Sequence, residues 1–580
     1  MKLRWYRIQA IALAFTVLSI SACGGGSAAE EQAKQDNVTA RPASSSQETQ
    51  QQAPVENISE PELTTETEIA ATPQTQEVLL KGTITFDRVL FGQRYYRGLD
   101  YDNIVVQPSR GVSVQLLDAN GSVLRSTQTD TRGHYQVRSP RDTPVQVRVL
   151  AQLQNDDPAF WDIAVRDNTR GNAQYVMDGS LLSSGQKNQQ TRDLHAASGW
   201  TGDGYGGSRS AAPFAILDSI YDAVQAISQA SPYVILPPLT VYWSEKNIAI
   251  KGDAKEGHIG TSYFSGTGPS IYILGAADND SDEFDRAVIQ HEFGHYIEHQ
   301  ISRSESIGGS HNQNSRLDMR VAFGEAWGNA FAGMVSGDPL YRDSLGAGQA
   351  LGFTIDVETR GFTNQGWFSE ASIQSILYDL YDANNDGIDN IELGFKAMLD
   401  VLASDEYLNY DGFSSIYPFI TQLKLQQPEQ RQQIDALVES FDIYGKGWYG
   451  EGETNDGGSA VVLPLYHKTS LSQTVNVCSD SDNQDSNGMD VRRFVSIDLP
   501  QTRSYDIRAY KTHGLQNANP QLKIYKQGSQ VGSVLNGTPN REDAIRYLAA
   551  GSYIFEVYEQ SNADGDDRSG GLVCFDVTIE

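Results

Sequence analysis

Between His291 and Tyr296 the chain reads HEFGHY, and no other stretch restricts its fold as much. Two histidines four apart sit one turn apart on a helix, so the imidazoles of His291 and His295 can reach one metal ion if the segment is helical. Glu292 then stands beside them, where a carboxylate can take a proton from zinc-bound water and return it to a leaving amine. The flanking pattern suits a buried helix. Phe284, Val288, His291 and His295 share one stripe, and Ile289, Phe293 and Ile297 form a second. The acidic run Asp280, Asp282, Glu283 and Asp285 suits a helix N-terminus, with Asp280 and Glu283 spaced as a capping box. The competing reading is a chance pattern with histidines in ordinary hydrogen bonds. With nine histidines in 580 residues, coincidence explains less than a metal site does.

A third ligand decides the class. Metzincins need Gly three residues and His six residues beyond the second histidine, but those positions hold Glu298 and Ile301. Nearby candidates are Glu298, His299, His311, Asp318 and Glu325. A second helix is expected over VAFGEAWGNAFAGMV, Val321 to Val335, with Val321, Glu325, Gly328 and Ala332 on one face and Phe323, Trp327 and Phe331 on another. Gly324, Gly328 and Gly333 each cost about 1 kcal/mol of helix propensity relative to Ala. Close docking on the HEFGH helix would offset that cost and bring Glu325 to the two imidazoles, leaving a fourth position for water. Asn329, one turn on, is placed either to accept a hydrogen bond from the far nitrogen of a ligand histidine and fix its tautomer or to bond locally within its own helix.

HEFGHY followed by FGEAWGNAFA, with Glu325 thirty positions after His295, resembles the gluzincin metallopeptidases and among them most of all fungalysin. SEASIQSILYDLYD, Ser369 to Asp382, is similar to the helix that follows in such enzymes. The resemblance runs over about 270–382. It implies a thermolysin-like core, Zn2+ on His291, His295 and Glu325, and Glu292 as the catalytic base. Two departures stand out: Asn329 occupies a position usually held by Asp, and no histidine lies near Trp367, where fungalysins carry one that stabilises the oxyanion.

The rest of the chain sets the context. Its length suggests three or four domains. A net charge of −30 argues against nucleic acid or an anionic membrane surface as partner, and three cysteines exclude a zinc ribbon or disulfide framework. Residues 1–23 carry Lys2, Arg4 and Arg7 and then an apolar run, as a secretory signal does. Ile20-Ser21-Ala22-Cys23 resembles a bacterial lipobox, which implies acylation of Cys23 and anchoring in a lipid bilayer; Gly24 by the same resemblance favours the outer membrane of a Gram-negative cell. Residues 24–77, rich in Gly, Ser, Gln, Glu and Thr, are expected to be a disordered tether.

Residues 78–153 alternate as strands, with Val112, Val114 and Leu116, an Asn120-Gly121 turn, and Val145, Val147 and Val149. They are expected to form a β-sandwich, and Thr129 to Val137 resembles carboxypeptidase regulatory-like domains. The peptidase domain is expected over 154–450. Within it, SIYIL (Ser270 to Leu274) is expected to be the sheet edge that pairs with extended substrate, and Tyr263 and Tyr272 are weighed as oxyanion donors or half-buried sheet residues. Asp382, Asn384 and Asp386 open like a calcium loop, yet Leu393 stands where a bidentate carboxylate belongs, so a polar turn is favoured over Ca2+. After a Gly-rich linker, 445–458, residues 456–580 read as a second β-sandwich resembling pre-peptidase C-terminal domains. Cys478 and Cys574 fall in its early and last strands, as one disulfide or two buried thiols.

The expectation is a multidomain α+β chain, a thermolysin-like metallopeptidase core flanked by two β-sandwiches. Its activity would be zinc-dependent cleavage of extracellular or periplasmic polypeptides by a monomer. The alternatives are a catalytically degenerate surface lipoprotein serving as a binding or scaffold module, and a different zinc hydrolase acting on polysaccharide or peptidoglycan peptide.

Overall fold

The computed structural model describes residues 77–580 apart from 93, 95, 361, 385–389, 483–484, 536 and 565–569. The expected signal segment with Cys23, and all of the tether before Glu77, lie outside the described residues. Among those described, no helix is long and apolar enough to cross a membrane.

Strand β1 (Glu77–Phe91) buries Val78, Leu80, Ile84 and Phe86 and pairs antiparallel with β2 (Leu99–Pro108). Facing it are β3 (Val112–Asp118) and β4 (Val123–Gln128), while β5 (His134–Pro140) returns to pair with β1. Strand β6 (Pro144–Asn155) is long enough to hold β3 along one side and β7 (Trp161–Asp167) along the other. The boundary expected at residue 153 therefore runs through a hydrogen-bonded sheet. That sheet continues through β8 (Leu239–Trp243), β9 (Tyr263–Ser265) and β10 (Ser270–Ile273), in the order β9-β10-β8-β7-β6-β3-β4.

One sequence expectation is corrected here. SIYIL is not the sheet edge: the turn through Gly266 and Gly268, the latter at φ +67°, folds β9 back antiparallel onto β10. Tyr263 lies opposite Tyr272, with ring centroids 4.9 Å apart, and Tyr242 continues the stack at 4.8 Å. The tyrosines serve as a cross-strand ladder on the sheet.

Helix α1 (Ala212–Ala230) covers the sheet with Phe214, Leu217, Ile220, Val224 and Ile227. Three helices then pack in succession: α2 (Arg286–Ile301), α3 (Met319–Ser336) and α4 (Glu370–Tyr381). The capping box expected from Asp280 and Glu283 does not form, because α2 starts at Arg286. Asp280 instead belongs to a two-residue strand, Glu283 is bound by Arg209, and Asp285, just before α2, turns its carboxylate to Ser344. Between α3 and α4 runs a hairpin of β11 (Leu340–Leu345) and β12 (Leu351–Asp356).

The C-terminal unit is built of a five-stranded and a four-stranded sheet enclosing Val495, Ile497, Tyr505, Ile507, Ile524, Phe555 and Phe575. Cys478 and Cys574, directly opposite on neighbouring strands, form a disulfide. The Gly-rich segment before this unit is anchored: Glu453 accepts hydrogen bonds from the backbone N–H groups of Tyr444, Gly445, Thr454 and Asn455 and from the hydroxyl of Tyr417.

Candidate metal centre

Docking of α3 on α2 depends on two small contacts. The indole N–H of Trp327 donates to the carbonyl of Gly294 at 3.0 Å. A Cβ on Gly328 would lie 2.7 Å from the His291 ring, so only glycine leaves that ring its place. Gly333 does the same for Tyr378 of α4, again at 2.7 Å. Gly324 would meet nothing nearer than 3.7 Å, so helix docking does not account for it.

Across this contact Oε2 of Glu325 lies 3.3 Å from Nε2 of His291 and 3.4 Å from Nε2 of His295, and the two nitrogens are 2.9 Å apart. Ligands at zinc distances around a tetrahedral ion are separated by about 3.3 Å. Both the donor set and the spacing therefore fit zinc. Burial pushes the Glu325 carboxyl up, but the charges of the His311 and His295 imidazoles outweigh it, holding the group well below the usual carboxylate range. It is ionised, as a metal ligand must be. Glu292 is fully buried beside the pair and contributes to the field at His295.

The amide oxygen of Asn329 is 2.9 Å from Nδ1 of His291. An amide oxygen only accepts, so Nδ1 carries the proton and the Nε2 lone pair faces Glu325. Asn329 Nδ2 donates to Gln374 (2.9 Å), Gln374 Nε2 to Gln313 (2.8 Å), and Gln313 Nε2 to Glu370 (2.8 Å). Glu370 Oε2 meets Nδ1 of His311 at 2.6 Å, and Nε2 of His311 returns to Oε2 of Glu325 at 3.3 Å. The polar chain thus closes into a ring through α2, α3, α4 and the loop between α2 and α3. His311, weighed from sequence only as a candidate ligand, is not among the three residues whose ligand atoms cluster within 4.8 Å. Sequence reasoning missed Glu370, Gln313 and Gln374, since nothing in their spacing marks them.

The remaining candidates lie elsewhere. Asp318 caps α3 and pairs with Arg320, His299 is exposed with its ring against Phe264, and Glu298 is buried on α2 with its pKa pushed up to about 7 by desolvation. Trp367 turns its N–H to the carbonyl of Asn455. The calcium reading at Asp382, Asn384 and Asp386 finds no support: the backbone N–H of Asn384 donates to the carboxylate of Asp382 in a polar turn, and Asp386 lies outside the described residues.

Residues 237–411 match the family model of the mycolysin C-terminal domain. Every residue of the centre falls inside that segment. No curated protein matches the chain. Among solved structures, the chain is similar to the precursor of protealysin, a metalloproteinase from Serratia proteamaculans, at 9% identity and a TM-score of 0.30, over 50% of this chain and 89% of that one. It is also similar to the pre-peptidase C-terminal domain of a Bacillus anthracis collagenase, at 12% identity and a TM-score of 0.16, over 20% of this chain and 94% of the other.

Proposed function

We propose that this chain is a zinc-dependent endopeptidase of gluzincin type with a thermolysin-like core. The convergence of His291, His295 and Glu325 beside the buried carboxylate of Glu292 carries the reading. His291, His295 and Glu325 would hold the ion, with Asn329 fixing the tautomer of His291. Zinc there supplies Lewis-acid polarisation of the scissile carbonyl and acidifies water.

The protein's own groups do the rest. Glu292 takes a proton from the attacking water and delivers it to the amide nitrogen of the leaving amine. Nδ1 of His311 lies 2.6 Å from Oε2 of Glu370 and its Nε2 3.3 Å from Oε2 of Glu325. With Nε2 protonated, His311 would donate to negative charge developing on the carbonyl oxygen, the role for which no histidine was found near Trp367. In this reading the first residues are a signal, acylated Cys23 tethers a monomer to the outer membrane, and the substrates are extracellular or periplasmic polypeptides.

Glu292→Gln should keep zinc and lower kcat/KM on a protein substrate by about 1,000-fold. Turnover equal to the parent's would overturn the assignment. A second reading, a catalytically degenerate surface lipoprotein, draws on the depth of the site: Glu292 is 0% and His291 1% exposed. Failure of the zinc-loaded parent to cleave any unfolded protein would favour it.

A further inference from the structure

The end of β1, the first turns of α2, the end of α3 and the β11–β12 hairpin enclose a cavity of about 680 Å³, within the range of small-ligand sites. Among the described residues four arginines, Arg88, Arg94, Arg286 and Arg342, line it against a single acid, Asp338. In a chain of net charge −30 such a hollow is a local reversal of sign.

Part of that charge is neutralised in place. Arg286 meets Asp222 at 2.9 Å and Asp218 at 3.5 Å, and Arg110 meets the same two acids, so two guanidiniums stand against two carboxylates. Arg342 pairs with Asp338 at 2.7 Å. Arg88 is different. It is 3% exposed, and its Nη1 and Nη2 donate only to the carbonyls of Ala215 and Phe284 and the hydroxyl of Ser219. Among the described residues no carboxylate forms an ion pair with it, whereas the buried Arg209 and Arg320 each meet an acid. Burial and the charge of Arg286 lower its pKa to about 10, against the more distant pull of Asp218, Asp285 and Asp222. A buried guanidinium without a counter-ion is costly unless a ligand supplies the anion. Beside it Gln290, 0% exposed, donates from Nε2 to the carbonyl of Ser219 at 3.1 Å and leaves Oε1 buried with no hydrogen-bond partner. Since both side chains hold Ser219, an unmatched positive charge and an unmatched acceptor stand next to each other in the cavity wall.

We propose that this cavity binds the C-terminal end of a peptide, its carboxylate drawn by Arg88 and held by Arg342, and the amide N–H beside that carboxylate donating to Oε1 of Gln290. Among the described residues the hydrogen bonds of Arg342 all leave from Nη1, so Nε and Nη2 remain for the forked contact a guanidinium makes with a carboxylate. Phosphate would suit the arginines but brings no N–H for Gln290. The cavity adjoins the metal centre without including it. Gln290 immediately precedes His291, and Tyr341, which also lines the cavity, has its ring centroid 5.9 Å from that of His291, yet none of His291, Glu292, His295 or Glu325 lines the space. The inference rests on the proposed peptidase activity only for the source of its ligand, since cleavage releases new peptide carboxylates.

The test uses the full chain with zinc bound, titrated by calorimetry with N-acetyl-alanyl-alanine, with the same dipeptide carrying a C-terminal amide, and with inorganic phosphate. The parent should bind the acid dipeptide with Kd of about 1 mM or tighter, and the amide at least about tenfold more weakly. Arg342→Gln, at the partly exposed mouth, should lose at least about tenfold in affinity for the acid and keep its zinc. Arg88→Gln should weaken binding in the same direction. His295→Ala, deprived of zinc, should bind as the parent does, which separates the cavity from a carboxylate seated on the metal. No binding to the parent, equal affinity for acid and amide, parental affinity in Arg342→Gln, or loss of binding in His295→Ala would overturn the proposal. Phosphate bound as tightly as the acid dipeptide would overturn the choice of a peptide end. Because these titrations need no turnover, failure of this site and failure of the peptidase assignment are read separately.

Discussion

Oε2 of Glu370 lies 2.6 Å from Nδ1 of His311, and the other nitrogen of that ring faces Oε2 of Glu325 at 3.3 Å. A residue from the first turn of α4 thus orients an imidazole carried by a loop, towards a carboxylate carried by α3. The loop alone would not hold such a ring in one direction. Glu370 is itself fixed, because Gln313 donates to its second oxygen.

His311→Ala should therefore lower kcat by about 100-fold with KM and bound zinc little changed. His311→Gln, which keeps an N–H donor, should recover part of the loss. Steady-state kinetics with metal analysis by atomic emission checks both. If zinc is lost in step with activity, His311 is a ligand rather than a donor.

The glycines of α3 separate docking from helix propensity. Gly328→Ala places a methyl 2.7 Å from the His291 ring and should destabilise by about 1–3 kcal/mol while weakening zinc binding. Gly324→Ala meets only open contact and should stabilise by up to about 1 kcal/mol. Thermal melts of the two variants, read against zinc content, distinguish these opposite signs.

His467, in a strand of the C-terminal unit, has its pKa lowered to about 4 by burial and by the charge of Arg493. Protonation is thus harder in the folded chain than in the unfolded one, whose histidines titrate near 6.5. Between those values the unfolded state binds more protons, so stability is present above about pH 6.5 and is lost as pH falls towards 4. The contribution is at most about 3 kcal/mol. His467→Gln should flatten the pH dependence of denaturant midpoints across that window.

Much of this arrangement was legible before the structure. HEFGHY and the Val321 to Val335 segment are helices because their apolar stripes and spacing allow little else, and both β-sandwich patterns alternate as strands do. What escaped the reading was set by tertiary contacts. Three-residue β9 is too short to announce itself, and its turn removed SIYIL from the sheet edge. The acids before α2 look like a helix cap, yet they gather with Asp343, about sixty residues on. His311 sits in a loop without periodicity, and its partners Glu325 and Glu370 come from two different helices.

That loop has a further support. The side-chain amide of Asn487, from the C-terminal unit, donates to the carbonyls of Gly308 and Ser310, and the backbone carbonyl of Asn487 accepts from the backbone N–H of Asp318. Gly309, at φ +110°, leaves room for it, since a Cβ there would lie 2.7 Å from that amide. Residues 456–580 consequently act, through Asn487, as a splint under the histidine loop. Trimming them away, or grafting the preceding segments onto a foreign C-terminus, would take the brace from His311 while leaving HEFGHY untouched.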